Sequence, residues 1–305
     1  MQQTASARGP LVWRDMDQKT LDDAYNQAAY APNMELILGR IAAASETARS
    51  ILGAPQRVAY GASEDERLDI YRATAGSPAG RQERGALPVN VFVHGGAWLR
   101  GSAAQSAFVA EAIVRAGAHA VVIDFTNVGQ TGGDLMPMAQ QVSRAIAWAW
   151  HNADSFGGDR GRFYVSAHSS GAHLAACALS RGWQDENLPA DFCKGALLVG
   201  GMYDLAPVRL SARSSYIKFT DEMEARLSPQ RHVDGITMPL VIAYGSNETP
   251  EFQRQARDFH AALAEKGKDA ELIVADGYNH FELFETMANP YGIVGRARLR
   301  QMGLV

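Results

Sequence analysis

A chain of 305 residues with 47% hydrophobic content can bury a large core, and the length suits two small domains or one large α/β domain with an added lid, the arrangement favoured here. A formal charge of −4, with both signs scattered along the chain, provides no basic field and argues against a nucleic-acid partner. Residues 1–10 lack the apolar h-region of a secretory signal and no later run approaches bilayer length, so the sequence predicts a cytoplasmic protein with no membrane partner.

From Leu21 to Leu52 the chain is rich in Ala, Glu, Leu and Ile. Ile37, Ile41, Ala44 and Ala48 recur at helical spacing, which predicts two helices broken near Pro32 and placed before any strand. Tyr25, Asn26 and Tyr30 on this segment are candidates for pocket contacts or for ordinary helix surface. Residues 57–60 and 67–72 alternate polar and apolar side chains across the turn-like Gly61 to Asp65 and read as an antiparallel pair. Ala75 to Gly85, rich in Gly, Ala and Arg, reads as an exposed loop.

The strands that follow are of another kind. Residues 89–93, 120–123, 163–165, 196–199 and 240–243 are short, nearly continuous apolar runs, as expected of strands covered on both faces, and 271–275 closes the series. Between them run helical stripes: Met138, Val142, Ala145, Ile146 and Ala149 in one, and Phe252, Ala256, Phe259 and Leu263 in another. This alternation predicts an α/β protein whose mostly parallel sheet carries helices on both faces. In such sheets the ligand lies beyond the carboxyl ends of the strands, so each catalytic candidate should directly follow a strand.

The first of these strands runs into His94-Gly-Gly-Ala-Trp98. Consecutive glycines let backbone N–H groups approach a substrate oxygen, which assigns Gly95 and Gly96 to an oxyanion hole; a turn needed only for backbone geometry is the plainer alternative. His94 is expected to brace this loop by hydrogen bonding, and Trp98 to pack near the pocket or in the core. Phe163-Tyr-Val-Ser-Ala-His-Ser-Ser-Gly-Ala-His173 then reads as strand, sharp turn and helix, with Ser169 at the apex of a G-x-S-x-G variant in which Ala167 replaces the first glycine. The N–H of Ser170 becomes the third oxyanion donor. His168 and His173 flank the turn in positions better suited to packing than to reaching the hydroxyl. Cys177 and Cys193, with no Cys or His cluster around them, read as buried small hydrophobes and not as a disulfide or metal site.

Two acids follow later strands. Asp204, in Gly200-Gly-Met-Tyr-Asp-Leu205, either serves catalysis or caps the loop that follows. Glu248 is the stronger candidate. Thr249 and Pro250 fit the N-cap and first position of the next helix and Glu251 suits its first turn, but no such role accounts for Glu248. An acid there can hold an imidazole in one tautomer. His280, in Asp276-Gly-Tyr-Asn-His-Phe-Glu282 after the last strand, completes the order Ser, acid, His.

His94-Gly-Gly-Ala-Trp98, Ala-His-Ser-Ser-Gly-Ala-His-Leu174, Gly-Tyr-Asn-His-Phe281, Leu21-Asp-Asp-Ala-Tyr-Asn26 and Glu248-Thr-Pro-Glu-Phe252 together resemble the carboxylesterase and arylformamidase (kynurenine formamidase-like) branch of the α/β-hydrolase superfamily, over most of the chain. The resemblance to hormone-sensitive-lipase-type esterases is looser, since those usually carry a third glycine where Ala97 stands. The resemblance implies a single α/β-hydrolase domain over 1–305, with 15–52 and 206–233 as cap segments. It also implies a triad of Ser169, Glu248 and His280 that works without a metal or organic cofactor on a small-molecule ester or formamide; the resemblance does not choose between the two, and ester cleavage is preferred as the less demanding task for such a site. The departures are Ala167 and a glutamate where many relatives carry aspartate. Trp98, Trp183, Met202, Tyr278 and Phe281, with Tyr216 and Phe219, are candidate pocket residues. A homo-oligomer is compatible with this reading.

Overall fold

The computed structural model describes residues 9–73, 85–180 and 186–305. Nearly all of the loop expected over 75–85, and Trp183, lie outside the described residues.

The chain opens with a two-stranded antiparallel ribbon, β1 (Leu11–Trp13) and β2 (Met16–Asp17), so the helices do not precede every strand as expected. Strands this short show no legible alternation, and Arg14, at φ 49°, makes the turn with no glycine to mark it. Helix α1 (Gln18–Ala24), capped by the Asp17 carboxylate accepting from Thr20 N, is followed by a 3₁₀ turn at Gln27–Tyr30 and by α2 (Met34–Leu52). The antiparallel pair is β3 (Gln56–Ala59) and β4 (Arg67–Tyr71). Then come β5 (Leu87–Val93), α3 (Phe108–Arg115), β6 (His119–Ile123), α4 (Met136–His151), β7 (Gly158–His168) and α5 (Ser170–Leu179). The rest is β8 (Ala196–Val199), α6 (Leu205–Leu210), α7 (Asp221–Arg226), β9 (Leu240–Gly245), α8 (Pro250–Glu265), β10 (Ala270–Ala275), α9 (His280–Glu285) and α10 (Ile293–Gln301).

Eight strands form one sheet in the order β10-β9-β8-β7-β5-β6-β4-β3, parallel except at β4 and β3. Period-two alternation divides the core. Val91 and Val93 face the cluster that holds the fully buried α4 stripe Met138, Val142 and Ile146 together with Phe252 and Phe259 of α8. Phe92 and Val122 face the other, with Ile37 and Ile41 of α2, Phe108 of α3 and Phe284 of α9. Ile123, Val93, Ala167, Leu198, Ile242 and Leu272 form one cross-strand row. Just beyond that row the chain leaves the sheet, at His94, Ser169, Gly200 and the Gly245–Glu248 turn, so four loops from widely separated parts of the sequence meet along one edge.

The segment 15–52, expected to help cap that edge, is placed differently along its length. Helix α1 packs on α6 and α8, tied by Gln18 Nε2 to Leu210 O (2.8 Å) and by Ala212 N to Asp22 Oδ1 (2.6 Å). Helix α2 instead covers α3 and α9, with Arg40 bidentate to Glu285.

Candidate active site

Ser169 sits between β7 and α5 at φ 55°, ψ −128°, a conformation costing an L-residue on the order of 1–2 kcal/mol. Its N–H donates to Val199 O (2.8 Å) and its carbonyl accepts from His173 N (3.1 Å), so the apex is pinned from both sides. At Gly171 a Cβ would fall 2.2 Å from His94 O and 2.4 Å from Val93 O, so only glycine lets α5 approach the end of β5 this closely. Position 167 has no such demand. Ala167 is an ordinary strand residue paired with Val93 and Leu198, which explains why alanine serves where the motif usually has glycine.

The other two triad candidates are in direct contact. His280 is the first residue of α9, whose N-terminus is fixed by a capping box between Asn279 and Glu282. Its Nδ1–H donates to Glu248 Oε2 at 2.9 Å, and the two residues are only 3% and 1% exposed. A carboxylate can only accept, so the bond assigns the proton to Nδ1 and leaves Nε2 as the basic nitrogen. Glu248 Oε1 accepts from Gly245 N (3.0 Å). The acid and histidine loops touch at Gly245, where a Cβ would lie 2.1 Å from Tyr278 O, and Asn247 N donates to that same oxygen (3.0 Å). Thr249 accepts from Phe252 N and Pro250 opens α8, as expected. Asp204 stands apart from the pair: its carboxylate caps α6 by accepting from Ala206 N (3.1 Å) and lies 3.8 Å from Arg231.

The glycine loop lies against the apex. A Cβ on Gly95 would fall 2.9 Å from Ser169 Cβ and 2.9 Å from His168 O, and Gly96, at φ 126°, passes so close to Arg100 O that a Cβ would lie 1.9 Å from it. Among the described residues the N–H groups of Gly95, Gly96 and Ser170 have no protein acceptor. Trp98 N donates to Ser170 Oγ (3.2 Å), joining the loop to α5. His94 braces the loop by donating from Nδ1 to Gly95 O (2.8 Å) and stacks on Phe125 at 4.4 Å; burial pushes its pKa down. His168 and His173 are likewise lowered by burial, His173 to about 4, and so stay neutral. His168 stacks on Phe284 (3.9 Å) and lies 4.4 Å from the His280 ring. His173 accepts from Trp98 Nε1 (3.3 Å) and donates from Nε2 to Leu227 O (2.7 Å), a packing role.

The pocket candidates are dispersed. Met202 is fully buried in the core and presents no surface to a ligand. Trp98, 1% exposed, lies edge-on to His173 beneath the Arg213 guanidinium and borders a cavity of about 260 Å³ shared with His94, Arg57, Arg100 and Asp124. Tyr278 and Phe281 are half-buried, with Phe281 edge-on to the His280 ring (5.3 Å); Tyr216 and Phe219 are also half-buried. Of the N-terminal candidates, Asn26 and Tyr30 are exposed, whereas Tyr25 is buried and donates to Glu251 Oε2 (2.9 Å). Cys177 and Cys193 are buried thiols, and burial pushes Cys193 up to about 12.

Two residues escape the motif reading. Gly200, at φ 55°, lies under the His280 ring: a Cβ would sit 2.8 Å from Nδ1 and 2.9 Å from Cε1. The paired glycines after a strand were the legible signal. Gln27, in the 3₁₀ turn, donates from Nε2 to Glu248 Oε2 (2.9 Å), and nothing in its sequence neighbourhood marks it.

Residues 68–191 match the family model BD-FAE. The whole chain is similar to kynurenine formamidase from Danio rerio, 28% identical over 302 residues that cover 95% of this chain and 98% of that protein. It is also similar to the isoprenylcysteine alpha-carbonyl methylesterase ICME from Arabidopsis thaliana, 27% identical over 74% of this chain and 56% of that one. Among solved structures, the propionate-bound esterase Est2 from Thermogutta terrifontis superposes with a TM-score of 0.66 at 20% identity, over 83% of this chain and 96% of that one.

Proposed function

We propose that this α/β-hydrolase, a hydrolytic enzyme resembling the carboxylesterase and arylformamidase branch, cleaves short-chain or aryl carboxylic esters through Ser169, His280 and Glu248. The observation that carries the reading is the buried His280–Glu248 bond of 2.9 Å, which directs Nε2 away from the acid at the same sheet edge where Ser169 is held at φ 55°.

Ser169 Oγ attacks the carbonyl carbon while His280 Nε2 takes its proton. The resulting oxyanion meets the N–H groups of Gly95, Gly96 and Ser170, held in place before substrate arrives by the Trp98–Ser170 and His94–Gly95 bonds. Glu248 stabilises the imidazolium, which then returns its proton to the leaving oxygen. Water activated by the same histidine releases the acyl group. In this reading residues 1–305 act as one domain, and the segments 15–52 and 206–233 shape the pocket.

This chain matches kynurenine formamidase over nearly the full length of both proteins but spans only 56% of the plant methylesterase, which favours a second reading, hydrolysis of an aryl formamide. The two share every step above and differ in the leaving group. Specificity constants for p-nitrophenyl acetate and N-formylkynurenine separate them. The ester reading expects the ester to be the better substrate, and a formamide preference of several orders of magnitude replaces it with the formamidase reading.

A further inference from the structure

We propose that Gln27 is a positioning residue of the active site, supplied by the N-terminal segment to lock the glutamate of the triad. The proposal rests on the Ser169–His280–Glu248 reading. A glutamate has one more side-chain torsion than an aspartate, and an acid that orients an imidazole loses its effect if that torsion is free. Here it is held at both oxygens. Gly245 N–H takes Oε1 at 3.0 Å, while Oε2 accepts from both His280 Nδ1 (2.9 Å) and Gln27 Nε2 (2.9 Å). The Gln27 amide is itself fixed, because its Oε1 accepts from Thr249 N (3.3 Å) at the cap of α8, and the side chain is buried.

The neighbouring turn reinforces this arrangement. Tyr25 donates to Glu251 Oε2 (2.9 Å) and accepts from Gln255 Nε2 (2.6 Å). Gln255 Oε1 in turn accepts from Tyr203 N (2.5 Å) and Asp204 N (2.8 Å), on the loop that begins at Gly200 beneath His280. Residues 25–27 therefore brace both sides of the acid–histidine pair from more than 200 positions away in sequence.

The titratable groups around the pair are His168 beside the His280 ring, Tyr203 behind Gly201, Glu251 with Arg254 on α8, and Glu282, whose oxygens are taken by Asn279 N and Asn33. Gln27→Met keeps the length of the side chain and leaves all of these groups in place, but removes the donor to Oε2. The carboxylate then has only the imidazole to accept from at that oxygen, so its charge bears more fully on the imidazolium.

The test is steady-state kinetics on p-nitrophenyl acetate for Gln27→Met, Glu248→Asp and the double variant. The expected result is a fall in kcat of roughly 10- to 100-fold at little-changed KM, with the acid limb of the kcat/KM profile displaced to higher pH. In the Glu248→Asp background, where the shorter acid does not reach Gln27, the same substitution should change kcat by less than about 2-fold. Wild-type kcat and an unmoved pH profile for Gln27→Met overturn the proposal, as does an equal loss in both backgrounds, which signals packing alone. If Glu248→Gln retains full activity the triad reading fails first, so the two failures are distinguishable.

Discussion

Gly200→Ala tests how closely the acid–histidine pair is held. Two costs follow from the substitution. The residue has φ 55°, and an alanine there loses on the order of 1–2 kcal/mol. The added methyl would also lie 2.8 Å from His280 Nδ1 and 3.2 Å from Glu248 Oε1, so the ring must retreat by about 0.6 Å to restore ordinary contact near 3.4 Å. A displacement of that size from reacting geometry should lower kcat by roughly 10- to 100-fold. The backbone cost should lower Tm by about 2–8 °C. Gly267→Ala is the control, because Gly267 has a similar φ of 64°, is exposed, and has nothing within 4 Å of its added Cβ. It should share the fall in Tm and keep kcat within about 2-fold. Calorimetry and kcat normalised to titrated active sites read both quantities. If Gly200→Ala keeps wild-type kcat, the histidine is not held where the mechanism requires it.

Asp204→Asn and Glu248→Gln separate the two acids. The first keeps a side-chain acceptor for Ala206 N at the cap of α6 and should change stability by less than about 0.5 kcal/mol with kcat nearly unchanged, while the second should lose about 10⁴-fold in kcat because an amide can present the wrong group to Nδ1. The pH dependence of stability follows from the buried histidines. The unfolded chain protonates His173 near 6.5, but the folded protein does so only near 4, so this contribution is full above about pH 6.5 and is lost as pH falls, by about 3 kcal/mol at completion. His94 and His168 act in the same direction, so Tm should fall steeply between pH 6.5 and 4.5, and a flat Tm across that window contradicts the neutral, buried assignment. Iodoacetamide should leave native activity intact, because Cys177 and Cys193 are buried and the Cys193 thiol is pushed up to about 12; rapid inactivation would refute this.

What the sequence made legible was whatever depends on local pattern. The apolar runs at 196–199 and 240–243 and the stripe from Met138 to Ala149 are set by burial on both faces of a sheet, and they appear where expected. The placement of the candidate residues was readable for the same reason, since His94, Ser169, Glu248 and His280 each follow a strand or its turn. The β1–β2 ribbon was not readable, because five strand residues are too few to show a period. Met202 illustrates another limit: a large apolar side chain beyond a strand suits a pocket or a core equally well, and tertiary packing decided for the core. Gln27 has no local signature at all, since its role exists only once the 3₁₀ turn is folded against the cap of α8.

The most direct test of Ser169 as nucleophile is the site of covalent modification by a fluorophosphonate, mapped by mass spectrometry on the native enzyme and on Ser169→Ala. The structure predicts a single adduct on Ser169, none on the variant, and a loss of kcat on the order of 10⁶ in the variant. An adduct on another residue, or a Ser169→Ala protein that still labels and turns over ester, would contradict it.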